Sequence, residues 1–313
     1  MSRWLVTGAS GMLGSDLVPL LRDAGEDVLA LSHADLDVTS ASSVLATVVD
    51  ARPDVVVNCA AWTAVDDAEA HEPEALALNG EGPAHLAAAC QALAAAGHRD
   101  GAGPVLLQVS TDYVFAGDAT VPYPEDAPTG PRTAYGRTKL AGERAVLSAL
   151  PGTGYVVRTA WLYGAHGPSF VATMLRLERE RDTVSVVDDQ TGQPTWTLDL
   201  ADRLARLGRA ALSGAAPPGV YHGTSAGATT WFSFARAIFE LAGADPGRVR
   251  PVPTSAFPRP APRPAWSVLG HDRWAGTGID PIGDWAERLA GAFPTLTQPR
   301  ADAEGTLWRP QRS

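Results

Sequence analysis

Three glycines spaced three residues apart lie between a strand pattern and a helix pattern near the start of the chain. Gly8, Gly11 and Gly14 follow the apolar run 4–7 and open the helical segment 12–24. This arrangement can cradle a dinucleotide pyrophosphate, because glycine lets the phosphates approach the backbone and the helix N-terminus offers unpaired N–H groups. A purely structural loop is the alternative. The position between strand and helix favours a nucleotide-binding turn in a doubly wound parallel sheet.

The residues predicted to form the cofactor-binding turn are Gly8, Ser10, Gly11, Met12, Leu13 and Gly14. Their spacing differs from G-x-G-x-x-G and resembles that of the extended short-chain dehydrogenases. The second predicted strand ends near Ser32 and His33. These positions provide neither the acid that usually binds the ribose 2′-hydroxyl of NAD nor an arginine for a 2′-phosphate. We predict NADPH as the cofactor, with NADH as a second option.

Apolar β-branched runs alternate with alanine-rich helical patterns in the first half of the chain, which is typical of a parallel sheet with crossover helices. The predicted strands are residues 4–7, 28–31, 55–58, 105–110 and 155–158. The predicted helices are residues 12–24, 41–51, 72–96 and 134–150. The sequence therefore predicts an α/β fold of the Rossmann type.

The pattern after residue 158 is less regular and predicts a smaller C-terminal α/β lobe that binds the substrate. Its predicted helices are residues 169–181, 198–211 and 231–242, and its predicted strands are 184–187 and 220–222. We assign residues 1–165 to the cofactor-binding domain, with 197–223 woven back into it, and residues 166–196 and 224–313 to the lobe. The prolines of residues 251–264 argue against a helix or a central strand and predict a loop.

Bulk properties exclude several classes of function. A formal charge of −10 argues against a nucleic-acid or anionic-membrane partner, and no apolar run approaches the ~20 residues of a membrane span. The N-terminal sequence lacks a secretory pattern, and Cys59 and Cys90 fit neither a zinc site nor a disulfide framework. We expect a cytoplasmic protein without a bound metal, either a monomer or a homodimer.

Lys139 is the only lysine among the 25 basic residues, and it follows Tyr135 by four positions in a predicted helix. Residues four apart project from one face of a helix. Reduction of a ketone needs a hydride donor and a proton donor, and a phenol with a pKa near ~10 is a poor acid without a neighbouring cation. The pair therefore predicts Tyr135 as proton donor and Lys139 as its cation and as a ligand of the nicotinamide ribose. A chance pairing is the alternative.

Hydroxyl and carboxyl groups end the fourth predicted strand, where a doubly wound sheet exposes its ligand-binding groups. Either Thr111 or Ser110 could polarise a substrate carbonyl, and each could instead cap the strand end. Asp112 could bind sugar hydroxyls or cap the loop. The residues alone leave these alternatives open.

Five motifs in order resemble the dTDP-4-dehydrorhamnose reductase family over almost the full length of the chain. They are residues 58–66 (NCAAWTAVD), 110–115 (STDYVF), 135–143 (YGRTKLAGE), 158–164 (RTAWLYG) and 188–195 (DDQTGQPT). The family's late pattern Arg-Pro-x-Asn-Ser-x-Leu departs at one position, where Trp266 replaces the amide. A bulky indole there could reshape the sugar pocket, so the particular sugar stays open.

The resemblance implies a role for each matching residue. The implied catalytic trio is Thr111, Tyr135 and Lys139, and the residues implied for the pocket of a nucleotide-linked 4-keto-sugar are Val65, Asp112 and Trp161. Asp37 and Val38 would lie beside the adenine, although Asp37 could be only a solvated loop acid. The small residues implied along the ribose of the cofactor are Ala60, Ala61 and Thr63. The implied reaction is reduction of dTDP-4-dehydrorhamnose or of a related keto-sugar, including one of the streptose kind.

Two other functions fit parts of the pattern. Sugar-nucleotide dehydratases and epimerases share the glycine turn and the tyrosine–lysine pair, but a related dehydratase would carry an Asp-Glu pair where Asp112 and Tyr113 stand. A regulatory subunit similar to the beta subunit of methionine adenosyltransferase would not need the catalytic trio. Because all three residues of the trio are present, the sequence favours a reductase.

Overall fold

A computed structural model of the chain describes residues 1–298. The strands in chain order are β1 (Arg3–Thr7), β2 (Asp27–Leu31), β3 (Val55–Asn58), β4 (Val105–Thr111), β5 (Gly154–Thr159), β6 (Leu162–Tyr163), β7 (Val184–Val187), β8 (Thr191–Gly192), β9 (Thr195–Trp196), β10 (Gly219–His222), β11 (Ser225–Ala226), β12 (Thr229–Thr230), β13 (Val249–Val252) and β14 (Ile282–Asp284). The helices are α1 (Met12–Asp23), α2 (Ala41–Ala51), α3 (Val65–Ala68), α4 (Glu72–Leu76), α5 (Gly82–Ala95), α6 (Ala134–Ala149), α7 (Phe170–Glu180), α8 (Thr197–Leu212), α9 (Trp231–Leu241) and α10 (Trp285–Thr297).

Six of these strands form a central parallel sheet in the order β10-β5-β4-β3-β1-β2. Alternate side chains of β1 enter different cores: Trp4 packs in the core that includes residues of α1 and α8, and Leu5 packs in the core that includes residues of α2 and α5. Helices therefore cover both faces, which explains why β3 is buried along its whole length. The predicted Rossmann-type α/β fold is confirmed.

A third core belongs to the C-terminal part of the chain. It joins aromatic and aliphatic side chains of α7, α9 and α10, among them Met174, Phe234 and Leu289. The small sheets around it are two-stranded: β13 pairs with β7, β12 with β8, β11 with β14 and β6 with β9. This core is separate from the two that cover the central sheet. No helix within residues 1–298 is long and apolar enough to cross a bilayer.

The structure corrects two sequence predictions. Residues 251–264 are not loop throughout, because Pro251 lies in β13, and the following residues form a 3₁₀ turn at Thr254–Ala256. A two-stranded sheet leaves one edge of β13 unpaired, and an edge tolerates the missing N–H of proline. The helix predicted at 72–96 is divided into α4 and α5 by a π-helical turn at Ala77–Glu81. Residues 299–313 of the predicted lobe lie outside the described residues.

Candidate active site

The turn between β1 and α1 has the shape of a phosphate cradle. Gly8 has φ +63°, and a Cβ there would lie 2.6 Å from the backbone nitrogen of Ala60, so only glycine fits. No side chain in residues 1–298 caps the N-terminus of α1 at Gly11. The N–H groups of Met12 and Leu13 therefore lack an intrahelical acceptor and are available to an anion. The turn fits a dinucleotide pyrophosphate.

The other predicted cofactor residues differ in their burial and in their contacts with this turn. Ala60 contacts Gly8, and the half-buried Ala61 and exposed Thr63 follow it after β3. Val38 is buried in the core next to α5. Asp37 is exposed, and its carboxylate accepts hydrogen bonds from the N–H and hydroxyl of Thr39 at 2.9 and 2.7 Å, which lower the pKa of Asp37. These bonds give Asp37 a local role in the loop.

An acidic side chain reaches the end of β2 from further along the chain. Asp35 accepts hydrogen bonds from the N–H of Ser32 at 2.9 Å and from its hydroxyl at 2.6 Å. Ser32 directly follows β2, so a carboxylate lies at this strand end although positions 31–33 contain none. Asp35 was not among the site residues predicted from the sequence. The available signal was the short Ser-x-x-Asp spacing, which favours such side-chain to backbone bonds.

Tyr135 and Lys139 lie in the first two turns of α6. Thr133 caps this helix by accepting a hydrogen bond from the N–H of Gly136 at 3.0 Å. A Cβ on Gly136 would lie 2.2 Å from the carbonyl oxygen of Tyr113, so glycine allows α6 to approach the end of β4. The rings of Tyr135 and Tyr113 consequently meet edge to face, with centroids 5.6 Å apart. Lys139 Nζ donates to the carbonyl oxygen of Val109 in β4 at 2.7 Å.

The hydroxyls at the end of β4 have different partners. Ser110 donates to Glu143 Oε1 at 2.5 Å, and the same carboxylate forms a buried bidentate pair with Arg158. Thr111 donates to Asp112 Oδ1 at 2.8 Å and accepts from the N–H of Tyr113 at 3.2 Å. Asp112 Oδ2 is buried and has no hydrogen-bond partner within the described residues. Thus Ser110 is part of a buried ion-pair network, whereas Thr111 lies between Asp112 and Tyr135.

Burial shifts the pKa of each titratable group in this cluster. It raises the pKa of Tyr135 to about 12, an effect that a hydrogen bond with Thr111 reduces and the charge of Asp112 increases. It lowers the pKa of Lys139 to about 8, although electrostatic interactions with Glu143 and Cys59 raise it. It also raises the pKa of Asp112 to about 6, an effect that the hydrogen bond from Thr111 reduces. Near neutral pH the cluster therefore contains a neutral phenol and, one turn further along α6, a buried ammonium.

A cavity of about 520 Å³ lies between the end of β4 and the C-terminal part of the chain. Its lining residues are Tyr113, Trp161, Phe170, Thr173, Met174, Ser185, Val186, Val187, Gln190, Trp231, Phe257, Arg259, Arg263 and Pro264. Trp161 has φ +47° and stacks on Trp231 with ring centroids 3.6 Å apart. The volume lies within the range of small-molecule sites, and the lining combines aromatic faces with two arginines.

The three predicted substrate residues do not all line this cavity. Trp161 does, whereas Asp112 lies beside Thr111, and the half-buried Val65 begins α3. Trp266, where the family pattern has an amide, is also outside the lining set. Its indole N–H donates to the carbonyl oxygen of Val121 at 2.9 Å. The large side chain at this position is therefore directed to the 117–123 loop.

Comparison with known proteins supports a single family. The sequence family described as the RmlD substrate binding domain matches residues 2–297. A dTDP-4-dehydrorhamnose reductase of Streptomyces griseus is 60% identical over 294 residues, which cover 94% of each chain. A probable dTDP-4,6-dihydroxy-2-methyloxan-3-one 4-ketoreductase of Streptomyces antibioticus is 55% identical and covers 94% of this chain and 95% of its own.

A solved structure agrees with the sequence matches. The dTDP-4-dehydrorhamnose reductase of Bacillus anthracis in complex with NADP superposes with a TM-score of 0.85 at 36% identity, covering 94% of this chain and 99% of its own. Both the sequence matches and the superposition extend over the central sheet and the C-terminal part. The chain therefore belongs to the dTDP-4-dehydrorhamnose reductase family of oxidoreductases.

Proposed function

We propose that the chain reduces the C4 ketone of a dTDP-4-keto-6-deoxy-sugar, either dTDP-4-dehydrorhamnose to dTDP-L-rhamnose or a related deoxysugar. The cofactor is NADPH, with NADH as a second donor. The observation that carries the proposal is the cluster of Tyr135, Thr111 and Lys139 at the carboxyl end of β4. Membership of the family and the nearby phosphate cradle support the same reaction.

When held at the glycine turn by Gly8 and the N-terminus of α1, the nicotinamide cofactor would supply the hydride for the C4 ketone. Tyr135 donates the proton to the ketone oxygen, because its pKa, raised to about 12, keeps it a phenol near neutral pH. The ammonium of Lys139 stabilises the phenolate that forms and returns a proton to it. Thr111 orients the ketone oxygen, and the unpaired Oδ2 of Asp112 accepts a hydrogen bond from a sugar hydroxyl.

The proposal divides the chain into two regions of function. Residues 1–165 together with 197–223 bind the cofactor, and residues 166–196 together with 224–298 bind the nucleotide sugar. The division is supported by the 520 Å³ cavity, most of whose lining comes from the second region. We propose that the reaction takes place in the cytoplasm. The position of Tyr113 disfavours dehydration, because its half-buried phenol, whose pKa is raised, stands where an acidic side chain would be needed.

The test is a reductase assay with a product analysis. Purified protein is mixed with a dTDP-4-keto-6-deoxy-sugar generated in situ and with NADPH or NADH, and loss of nicotinamide absorbance is followed. NMR then identifies the sugar. Formation of dTDP-L-rhamnose supports the primary substrate, and a different 4-hydroxy sugar keeps the reaction while changing the substrate. No oxidation of either cofactor with any dTDP-keto-sugar would refute the proposal.

A further inference from the structure

A proline-rich segment, residues 253–264, borders the 520 Å³ cavity and is held at both ends. Near its start, Asp189 accepts hydrogen bonds from the N–H of Thr254 at 2.8 and 2.9 Å and from its hydroxyl at 2.5 Å. Near its end, Asp66 accepts hydrogen bonds from Ala261 and Arg263. Asp189 belongs to the C-terminal part, whereas Asp66 lies in α3, the first helix after the central strand β3. The segment therefore spans the cleft between the central sheet and the C-terminal part of the chain.

Asp66 makes the contact on the cofactor side of the cleft. Its carboxylate accepts from Arg263 Nη1 at 2.9 Å and Nη2 at 2.7 Å, and from the N–H of Ala261 at 3.2 Å. Arg259 Nη1 lies 3.5 Å from the same carboxylate. Partial burial raises the pKa of Asp66, but these hydrogen bonds and the charges of both arginines lower it further than burial raises it. Asp66 is consequently ionised at neutral pH.

The ion pair with Asp66 leaves one edge of the Arg263 guanidinium available to a ligand. A guanidinium has five N–H donors. Two bond Asp66, and Nη1 also donates to the carbonyl oxygen of Ala261 at 2.8 Å. The remaining donors are the Nε hydrogen and one Nη2 hydrogen, for which residues 1–298 supply no acceptor. These two neighbouring N–H groups form a fork that matches two oxygens of a phosphate.

The charge balance at this side of the cavity favours an anion. Arg259 and Arg263 both line it, and Asp66 neutralises only one of the two positive charges. Within residues 1–298, none of the residues that line the cavity is acidic. A chain with a formal charge of −10 thus presents a local positive site beside aromatic faces. A nucleoside diphosphate has the matching chemistry, with two phosphates and a planar base.

We propose that Asp66 is a positioning residue, which holds Arg263 by one edge so that its free edge faces the diphosphate of the substrate. The same contact closes the 253–264 segment over the cavity. This inference rests on the proposed function for the identity of the nucleotide. Asp66 itself touches no substrate, and its effect passes through Arg263 and the segment.

The test compares Asp66→Asn with the matched control Asp67→Asn. Asp67 is the next residue, its side chain is about half exposed, and its ion-pair partner is His71 at 3.2 Å, away from the segment. Binding of dTDP and of thymidine is measured by titration calorimetry on the full chain. We expect Asp66→Asn to weaken dTDP binding by about tenfold, which corresponds to about 1.4 kcal/mol, and to leave thymidine binding unchanged.

Two further readouts separate positioning from a general structural defect. Hydrogen exchange of the peptide that contains the Ala261 N–H should be faster in Asp66→Asn than in Asp67→Asn, because its acceptor is weakened. A second variant, Arg263→Lys, keeps the charge but loses the fork, and it should reproduce the loss of dTDP affinity. Melting temperature and NADPH affinity should stay at wild-type values in all three variants.

The outcomes distinguish this inference from the proposed function. Wild-type affinity for dTDP in Asp66→Asn, or tighter binding, overturns the positioning role even when the wild-type enzyme reduces the keto-sugar. Equal loss of dTDP and thymidine binding also overturns it, since a phosphate-specific role predicts a difference. If dTDP binds and shows the expected losses but no keto-sugar is reduced, the inference stands and the proposed reaction fails.

Discussion

Replacing Glu143 with Gln tests whether the ion pair behind the catalytic cluster stabilises the fold. Glu143 and Arg158 form a bidentate pair at 2.7 and 2.9 Å, with side chains only 2% and 5% exposed. The substitution leaves the buried Arg158 without its counter-charge and weakens the bond from Ser110. Removing one partner of a buried pair costs about 3–5 kcal/mol. We expect the free energy of unfolding to fall by that amount.

An exposed ion pair between α6 and α4 provides a matched control for this variant. Arg137 forms a bidentate pair with Glu72 at 2.8 and 2.6 Å, but these side chains are 44% and 40% exposed. An exposed pair contributes about 0–1 kcal/mol, so Glu72→Gln should change stability little. The two variants differ in the burial of the charge that loses its partner, while the geometry of the pairs is alike.

The assay is equilibrium unfolding in urea, followed by tryptophan fluorescence and by circular dichroism. Urea is preferable to guanidinium here because it does not screen the ion pairs. Glu143→Gln should lower the transition midpoint well below that of Glu72→Gln, with similar slopes. Equal midpoints would refute the reasoning, since burial would then have no effect on the cost of losing the pair.

Three further predictions concern the catalytic cluster and the cofactor. Tyr135→Phe should lower kcat by about 10²–10⁴-fold with unchanged NADPH affinity, because it removes the proton donor alone; near-normal kcat would contradict this. The kcat/KM profile should fall above about pH 8 as Lys139 loses its proton, since the phenol with its pKa of about 12 titrates later; a profile flat to pH 10 would contradict this. Asp35→Asn should raise the kcat/KM for NADPH relative to NADH, because it removes a negative charge from the end of β2; an unchanged ratio would exclude Asp35 from cofactor choice.

The fold was predictable because its signals are local. Strand and helix periodicity and the glycine turn specify β1 to β5, and the predicted bounds agree with the observed ones to within a residue. The four-residue spacing of Tyr135 and Lys139 likewise specifies one helix face. The two-residue strands such as β8 carry no periodicity, and α10 was not predicted. The prolines of residues 251–264 predicted irregular backbone but not that Pro251 would lie in an edge strand.

The site was less predictable, because its polar contacts join residues that are far apart in the sequence. Asp66 and Arg263 are 197 residues apart, and nothing in the spacing of either residue indicates the other. The choice between Ser110 and Thr111 depended on a partner 33 residues away, Glu143, which binds Ser110. Such contacts form only when α6 packs against β4 and the 253–264 segment packs against α3. Local sequence patterns do not specify this packing.

Glu143, Asp66 and Asp112 differ in how their charge is balanced, and this difference separates their roles. Glu143 is neutralised by Arg158, and Asp66 is paired with Arg263. Asp112 is buried without a cationic partner within residues 1–298, and burial raises its pKa to about 6. A buried oxygen without a hydrogen-bond partner costs about 1–3 kcal/mol, a cost that a sugar hydroxyl would remove on binding. The unpaired Oδ2 of Asp112 therefore identifies the carboxylate suited to contact substrate directly, whereas the other two hold protein groups in place.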